Sequence, residues 1–302
     1  MPATPLRARA LVVAAIVTTL LAWASAFVVI RAVAGHFDPG ALTLGRLAVA
    51  ALALGVAQLV HGGWVRPTGR QWALLGAFGI SWFLIYNLAL NAAEHLLDPG
   101  TAALLVNVAP LIVAIVAGTL LGEGFPRWLI IGAIVAFCGI ALIGAATATG
   151  SLSLLGVALA LLAAVTYAIA VLLQKPLLAS LPGLQMTLIG VAIGLVGSLP
   201  WGGALVAQLA VAPLASTLGV VYLGLVPTAI AFLAWAYALK RMPAGRLTIT
   251  TYLVPVIATV MAWVLLGEVP PPLALLGGLI CLTGVAITRI PAREARPAAV
   301  SR

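Results

Sequence analysis

Charged side chains make up only 7% of this chain, against about a quarter in an ordinary soluble domain. So little charge cannot solvate a globular surface, and a hydrophobic content of 64% with a mean hydropathy of +1.24 puts the chain in lipid instead. Acidic residues are the rarest of all, 6 against 15 lysines and arginines, for a net charge of +9. The basic residues come one to three at a time between long apolar runs, with no basic stripe interleaved with stacking aromatics, so nucleic acid is excluded as a partner. Cys138 and Cys281 are the only cysteines, each inside an apolar run, and read as small core residues. The histidines, His36, His61 and His95, fall at loops or helix ends without ligand spacing, so neither a metal nor a cofactor is expected.

What is abundant is apolar sequence. A bilayer-crossing helix needs about 20 mostly apolar residues, and ten such runs can be read, at 11–33, 41–60, 72–91, 100–121, 128–146, 152–173, 184–199, 214–239, 246–266 and 273–288. Turn chemistry separates them: Asp38-Pro39-Gly40, His61-Gly62-Gly63, Asp98-Pro99-Gly100, Lys175-Pro176, Pro200-Trp201-Gly202-Gly203, Met242-Pro243 and Val269-Pro270-Pro271-Pro272. The first run has Arg7 and Arg9 before it and Ala24-Ser25-Ala26 within it, as a signal peptide would, but its length and its internal counterpart favour a retained helix.

Loop charge sets the orientation. Arg7, Arg9, Arg66, Arg70, Arg127, Lys175, Lys240, Arg241, Arg246 and the arginines after 288 fall on one side, which is then the cytoplasm. Asp38, Glu94, Asp98 and Glu268 fall on the other, so both termini are expected inside, in an inner-membrane protein.

Sliding the sequence by 145 positions aligns its halves without a gap from Ala93 onwards: Gly100 meets Gly245, Pro110 meets Pro255, and Leu120-Leu121-Gly122-Glu123 meets Leu265-Leu266-Gly267-Glu268. Gly132 then pairs with Gly277 and Gly139 with Gly284, while Ser25 and Thr166 align more loosely. Five helices per copy is an odd number, so the copies must lie in the membrane with opposite orientation, an arrangement typical of secondary transporters. The expected fold is therefore all-α, ten transmembrane helices in two inverted five-helix repeats, at 10–146 and 151–290, with a cytoplasmic tail at 291–302.

These residues resemble the EamA family of the drug/metabolite transporter superfamily. The resemblance is carried by Asn107-Val108-Ala109-Pro110 through Glu123, by Tyr252-Leu253-Val254-Pro255 through Glu268, by the opening Ala22-Trp23-Ala24-Ser25-Ala26-Phe27, by Arg46 and by Ala238-Leu239-Lys240-Arg241. It implies ten helices, cytoplasmic termini and transport, often export, of metabolites such as amino acids or of drugs.

Arg46 is the one basic residue well inside a run, and two accounts of it stand. It binds an anionic substrate, or, about 9 Å from the outer helix end, it snorkels or pairs with Asp38. Glu123 and Glu268 fall at opposite membrane faces, which excludes a dyad and favours a capping role. Pro110 and Pro255 are expected to kink the fourth and ninth helices, and Asn107 and Tyr252 precede them at equivalent positions. Asn87 with Asn91, and Thr248 with Tyr252, make polar faces that serve either as glue or as ligands. With Trp23, Ser25, Tyr86, Tyr167 and Trp235 these are the cavity candidates, for a site between the repeats built by helices one, three, four, six, eight and nine. The expected partners are a small-molecule substrate and the bilayer, and a homodimer is admitted. An intramembrane lipid-acting enzyme lacks a visible nucleophile, base or metal set, and a helical scaffold subunit does not need an inverted repeat.

Overall fold

In the computed structural model, residues 5–97, 104–147, 153–267, 269–288 and 290 are described. The Asp98-Pro99-Gly100 turn, Glu268 and the 291–302 tail lie outside them. All the described secondary structure is helical. Eight helices are long and apolar enough to cross a membrane: α1 Leu6–Val33, α2 Pro39–His61, α3 Gly69–Leu96, α5 Arg127–Ala146, α6 Leu154–Ser180, α7 Gly183–Val211, α8 Leu214–Leu239 and α9 Ala244–Leu265. Two shorter apolar helices, α4 Leu104–Leu120 and α10 Pro272–Ile287, complete the bundle.

Local chemistry sets several boundaries. Asp38 accepts from Ala41 N at 2.8 Å with Pro39 in the first turn, starting α2. Thr68 and Gln71 form a capping box at α3, and Ser153 caps α6. Two expected breaks are absent. Pro176 sits inside α6, which runs on to Ser180, because a membrane bundle can re-satisfy the carbonyl that the proline frees. The expected loop at 200–203 is instead a single 3₁₀ turn, Leu199–Trp201, after which α7 continues to Val211. Pro200 sits inside that turn, where the tighter 3₁₀ winding accommodates a residue without an N–H.

The interiors of α3 and α8 widen into π turns at Gly79–Tyr86 and Gly224–Ile230, whose first residues are 145 apart. Both glycines are needed for close packing. A Cβ on Gly79 would lie 2.9 Å from the Gly190 carbonyl oxygen of α7, and one on Gly224 would lie 2.7 Å from the Arg46 carbonyl oxygen of α2. The helices α4 and α9 are likewise interrupted before their prolines, at Asn107–Val108 and Thr251–Tyr252.

The helices α5 and α10 share the most extensive contact in the bundle, and they cross antiparallel on glycines. A Cβ on Gly132 would meet Gly284 O at 2.5 Å, and one on Gly139 would meet Cys281 N at 2.4 Å and Gly277 O at 2.5 Å. Backbones this close gain dispersion contacts that lipid cannot offer. Gly139→Ala should therefore destabilise the protein by about 2 kcal/mol, as an overpacked site does. Gly76→Ala, where a Cβ has nothing within 4 Å, should not. Thermal unfolding of the two variants in detergent compares them, and equal melting temperatures would count against a rigid α5–α10 contact.

Candidate functional site

A cleft of about 850 Å³, counted out to its open mouth, lies among α1, α2, α3, α4, α6, α8 and α9. Its walls carry Trp23, Phe27, Arg46, Trp82, Phe83 and Tyr86, with Asn87, Asn107, Tyr167, Thr228, Phe232 and Thr251. A second hollow shares Phe27 and Ile30 with it and leads to the bundle end where α1 and α3 finish and α2 begins. Arg31, Asn91, Glu94 and His95 line that vestibule.

Arg46 points into the cleft and is buried. Its Nε and Nη2 donate to Thr228 Oγ1 at 3.1 and 2.9 Å, and the Thr228 hydroxyl donates onward to Leu223 O at 2.7 Å. The π turn of α8 makes this possible by turning Thr228 toward α2. The alternative of a pair with Asp38 is not realised. Asp38 caps α2 and accepts from Gln208 Nε2 at 2.7 Å, so its carboxylate is committed elsewhere. Arg46 thus presents a charge whose hydrogen-bond partner is neutral, and among the described residues no acidic side chain lines the cleft.

The floor is aromatic. Trp82 packs edge-on against Tyr167, Phe232 and Trp235, with centroids at 5.2, 4.9 and 6.2 Å. Trp23 lies against Trp235 at 5.1 Å and donates from Nε1 to Pro227 O. Below this layer Trp235 Nε1 donates to Gln174 at 3.0 Å. At the bundle end opposite the mouth, Lys175 Nζ donates to Leu239 O at 2.8 Å and Met242 O at 2.5 Å. Glu123 there accepts from the backbone N–H groups of Ala244 and Gly245 at 2.7 and 3.0 Å. It caps α9 in the other half of the chain, not the helix that follows it.

The structure brings Trp23, Arg46, Tyr86, Asn87, Asn107 and Tyr167 together in the cleft, and places Asn91 in the vestibule, donating to Thr43 Oγ1 and Pro39 O. Four other candidates lie outside both hollows. Ser25 bonds Tyr222 at 2.7 Å, and Thr248 returns its proton to Ala244 O. Trp235 belongs to the aromatic floor, packed behind Trp23 and Trp82, and does not line the cleft. Tyr252 is 0% exposed, turned toward Phe137 and Cys281 of α5 and α10. Sequence reasoning missed Trp82, Phe83, Phe232, Thr228 and Thr251. Pro227, in the middle of an apolar run, was the signal for the α8 wall.

A bundle of membrane-length helices around a cleft with a buried cation is the architecture of a polytopic membrane protein, and the comparisons give its class. The description "EamA-like transporter family" matches residues 10–145 and 154–290, and the chain belongs to that family. It is a membrane transporter of this type. A relative from Streptantibioticus cattleyicolor, named "Probable terminal-alkyne amino-acid exporter", is 38% identical over 271 residues, 90% of this chain and 91% of that one. The "Uncharacterized transporter YdfC" of Bacillus subtilis is 31% identical over 268 residues, covering 88% and 87%. A solved crystal structure, 20% identical, shares the fold with a TM-score of 0.76 over 94% of this chain and 99% of that one.

Proposed function

We propose that this protein is a secondary transporter that exports an amino acid or a closely related small metabolite across the inner membrane. The observation that carries the reading is Arg46: a buried guanidinium whose hydrogen-bond partner is a neutral hydroxyl faces an aromatic cleft and offers a binding point for an anionic group on the cargo, with Glu94 of the adjoining vestibule the acid whose charge reaches it. The similarity to a protein named as an amino-acid exporter supports the same class. A lone cationic wall group also disfavours cationic drugs as cargo.

Transport would proceed by alternating access of two inverted five-helix repeats, with α4 and α10 as short spans beside the eight long ones. Three features support this. The π turns begin 145 residues apart, the breaks in α4 and α9 fall at nearly equivalent positions, and the α5–α10 contacts are two-fold related. Gly132 meets Gly284 as Gly277 meets Gly139, and the equivalences are Gly132 with Gly277 and Gly139 with Gly284. Rocking about such an axis exposes a central cleft to each side in turn.

Arg66, Arg70, Arg127, Lys175, Lys240 and Arg241 collect at the closed end of the bundle, which is then cytoplasmic, with both termini, while the vestibule opens outward. In a cysteine-free background, His95→Cys should react with an impermeant maleimide added to intact cells, and Lys240→Cys should react only after permeabilisation. Equal reaction of both in intact cells would remove the orientation. The function itself is tested by counterflow in proteoliposomes with labelled amino acids, nucleobases and amphipathic amines. Uptake of an amino acid above protein-free vesicles is expected, and no uptake of any of them would refute the proposal.

A further inference from the structure

The C-terminal end of the π turn in α3 shapes a second polar group beside Arg46. The widened backbone turns the carbonyls of Trp82 and Phe83 toward Asn87, whose Nδ2 donates to both, at 2.9 and 3.1 Å. Two acceptors on one side fix which amide atom is nitrogen, so the orientation of the side chain is dictated by its partners. Its Oδ1 consequently faces the other way. Among the described residues that oxygen has no hydrogen-bond partner, yet it is not one of the buried unpaired atoms, and Asn87 is part of the cleft wall. An amide oxygen is thus presented to the cleft as an open acceptor.

Its depth matches that of Arg46. The helices α2 and α3 are tied by Asn91 Nδ2 to Thr43 Oγ1 at 3.1 Å. They run in opposite directions, and Arg46 lies one turn below Thr43 just as Asn87 lies one turn below Asn91. A cation and an acceptor therefore stand on neighbouring walls at one level, in a cleft that Trp82 and Phe83 also line.

We propose that Asn87 is a specificity-determining residue that reads a free α-amino group, so that the cargo is a zwitterionic α-amino acid with an apolar side chain and not a simple carboxylate. This rests on the reading of Arg46 as the carboxylate site. The ammonium donates to Asn87 Oδ1, with the aromatic faces adding cation–π attraction, while the apolar tail lies on the floor. A des-amino acid satisfies Arg46 equally well but leaves Oδ1 desolvated and unpaired, and sites built to bond a substrate group reject analogues that lack it.

The test measures binding of matched pairs to the purified full chain in detergent: leucine against its des-amino analogue methylpentanoate, and propargylglycine against pentynoate. The parent should prefer each amino acid by roughly ten- to hundredfold, as a bond to a charged group gives. Asn87→Leu should erase most of that preference while the des-amino analogues still bind. Asn87→Ala, a smaller change that likewise removes the amide oxygen, should do the same, and decides the matter if Asn87→Leu does not fold. A parent without preference, or an unchanged ratio in Asn87→Leu or Asn87→Ala, overturns the role of Asn87 and leaves the carrier reading intact. A parent that binds none of the four compounds overturns both.

Discussion

Arg46→Gln is expected to weaken cargo binding by about a hundredfold and to abolish flux at cargo concentrations that saturate the parent, since a charge-assisted bond to a carboxylate is worth roughly 1.5–3 kcal/mol. Glutamine keeps a donor that can reach Thr228 Oγ1 but removes the charge and the fork. The variant should be at least as stable as the parent, because a neutral amide in this cleft no longer carries the desolvation cost of a buried cation. A structural role for Arg46 predicts the reverse, loss of stability with affinity retained. Arg46→Lys separates charge from geometry: it should recover part of the affinity, and full recovery would mean that the guanidinium fork is not used. Isothermal titration of leucine together with thermal unfolding of the same preparations reads both quantities.

Apolar run length alone was enough to read where the helices lie and that their number is large. Where the reading slipped, a local rule was overridden by the bundle. Pro176 and the Pro200-Trp201-Gly202-Gly203 segment carry strong turn chemistry, but α6 and α7 continue through them because the surrounding helices leave no other way to satisfy the backbone. The repeat was legible from Ala93 onwards, where side chains match. The 145-residue register extends further back in the structure, to Gly79 and Gly224, where the π turns share a backbone shape while their side chains have diverged. For the site, the depth of a residue was easier to read than its direction. Asn107 and Tyr252 are equivalent by position, yet only Asn107 lines the cleft. The interruption of α9 falls at Thr251–Tyr252, one residue early relative to Asn107–Val108 at a spacing of 145, and one residue is about 100° of rotation on a helix. Thr251 takes the wall position and Tyr252 turns to α5 and α10. Thr228 was invisible for a related reason, since a threonine in an apolar run ordinarily bonds its own helix and only the π turn aims it at Arg46.

Glu123→Ala is expected to open the end of the bundle that is closed in this structure. The two carboxylate oxygens of Glu123 hold the first two N–H groups of α9, and Lys175 Nζ holds the carbonyls of Leu239 and Met242, so a loop of one half and a helix of the other fasten the same α8–α9 corner from opposite charges. Both are favourable with the helix dipoles, an anion at the N-terminus of α9 and a cation at the C-terminus of α8. At the vestibule end the halves are tied beside the hollow, by Gln208 to Asp38 and by Ser216 to His36, and the hollow itself leads on to the cleft. Losing two charge-assisted bonds at a half-buried site costs about 3 kcal/mol. In a two-state carrier that energy falls mainly on the state in which this end is shut, so the population open at this end should rise on the order of a hundredfold. Ala238, on α8 and fully buried at this end, is a suitable reporter. With Ala238→Cys in a cysteine-free background, maleimide should react far faster in the Glu123→Ala protein than in its parent, and excess leucine trapped at Arg46 should slow it again. Glu123→Asp, too short to span both N–H groups, should fall between the two. Equal labelling rates in all three would show that the carboxylate only caps α9, with the closure of this end resting on the aromatic floor of Trp23, Trp82 and Trp235.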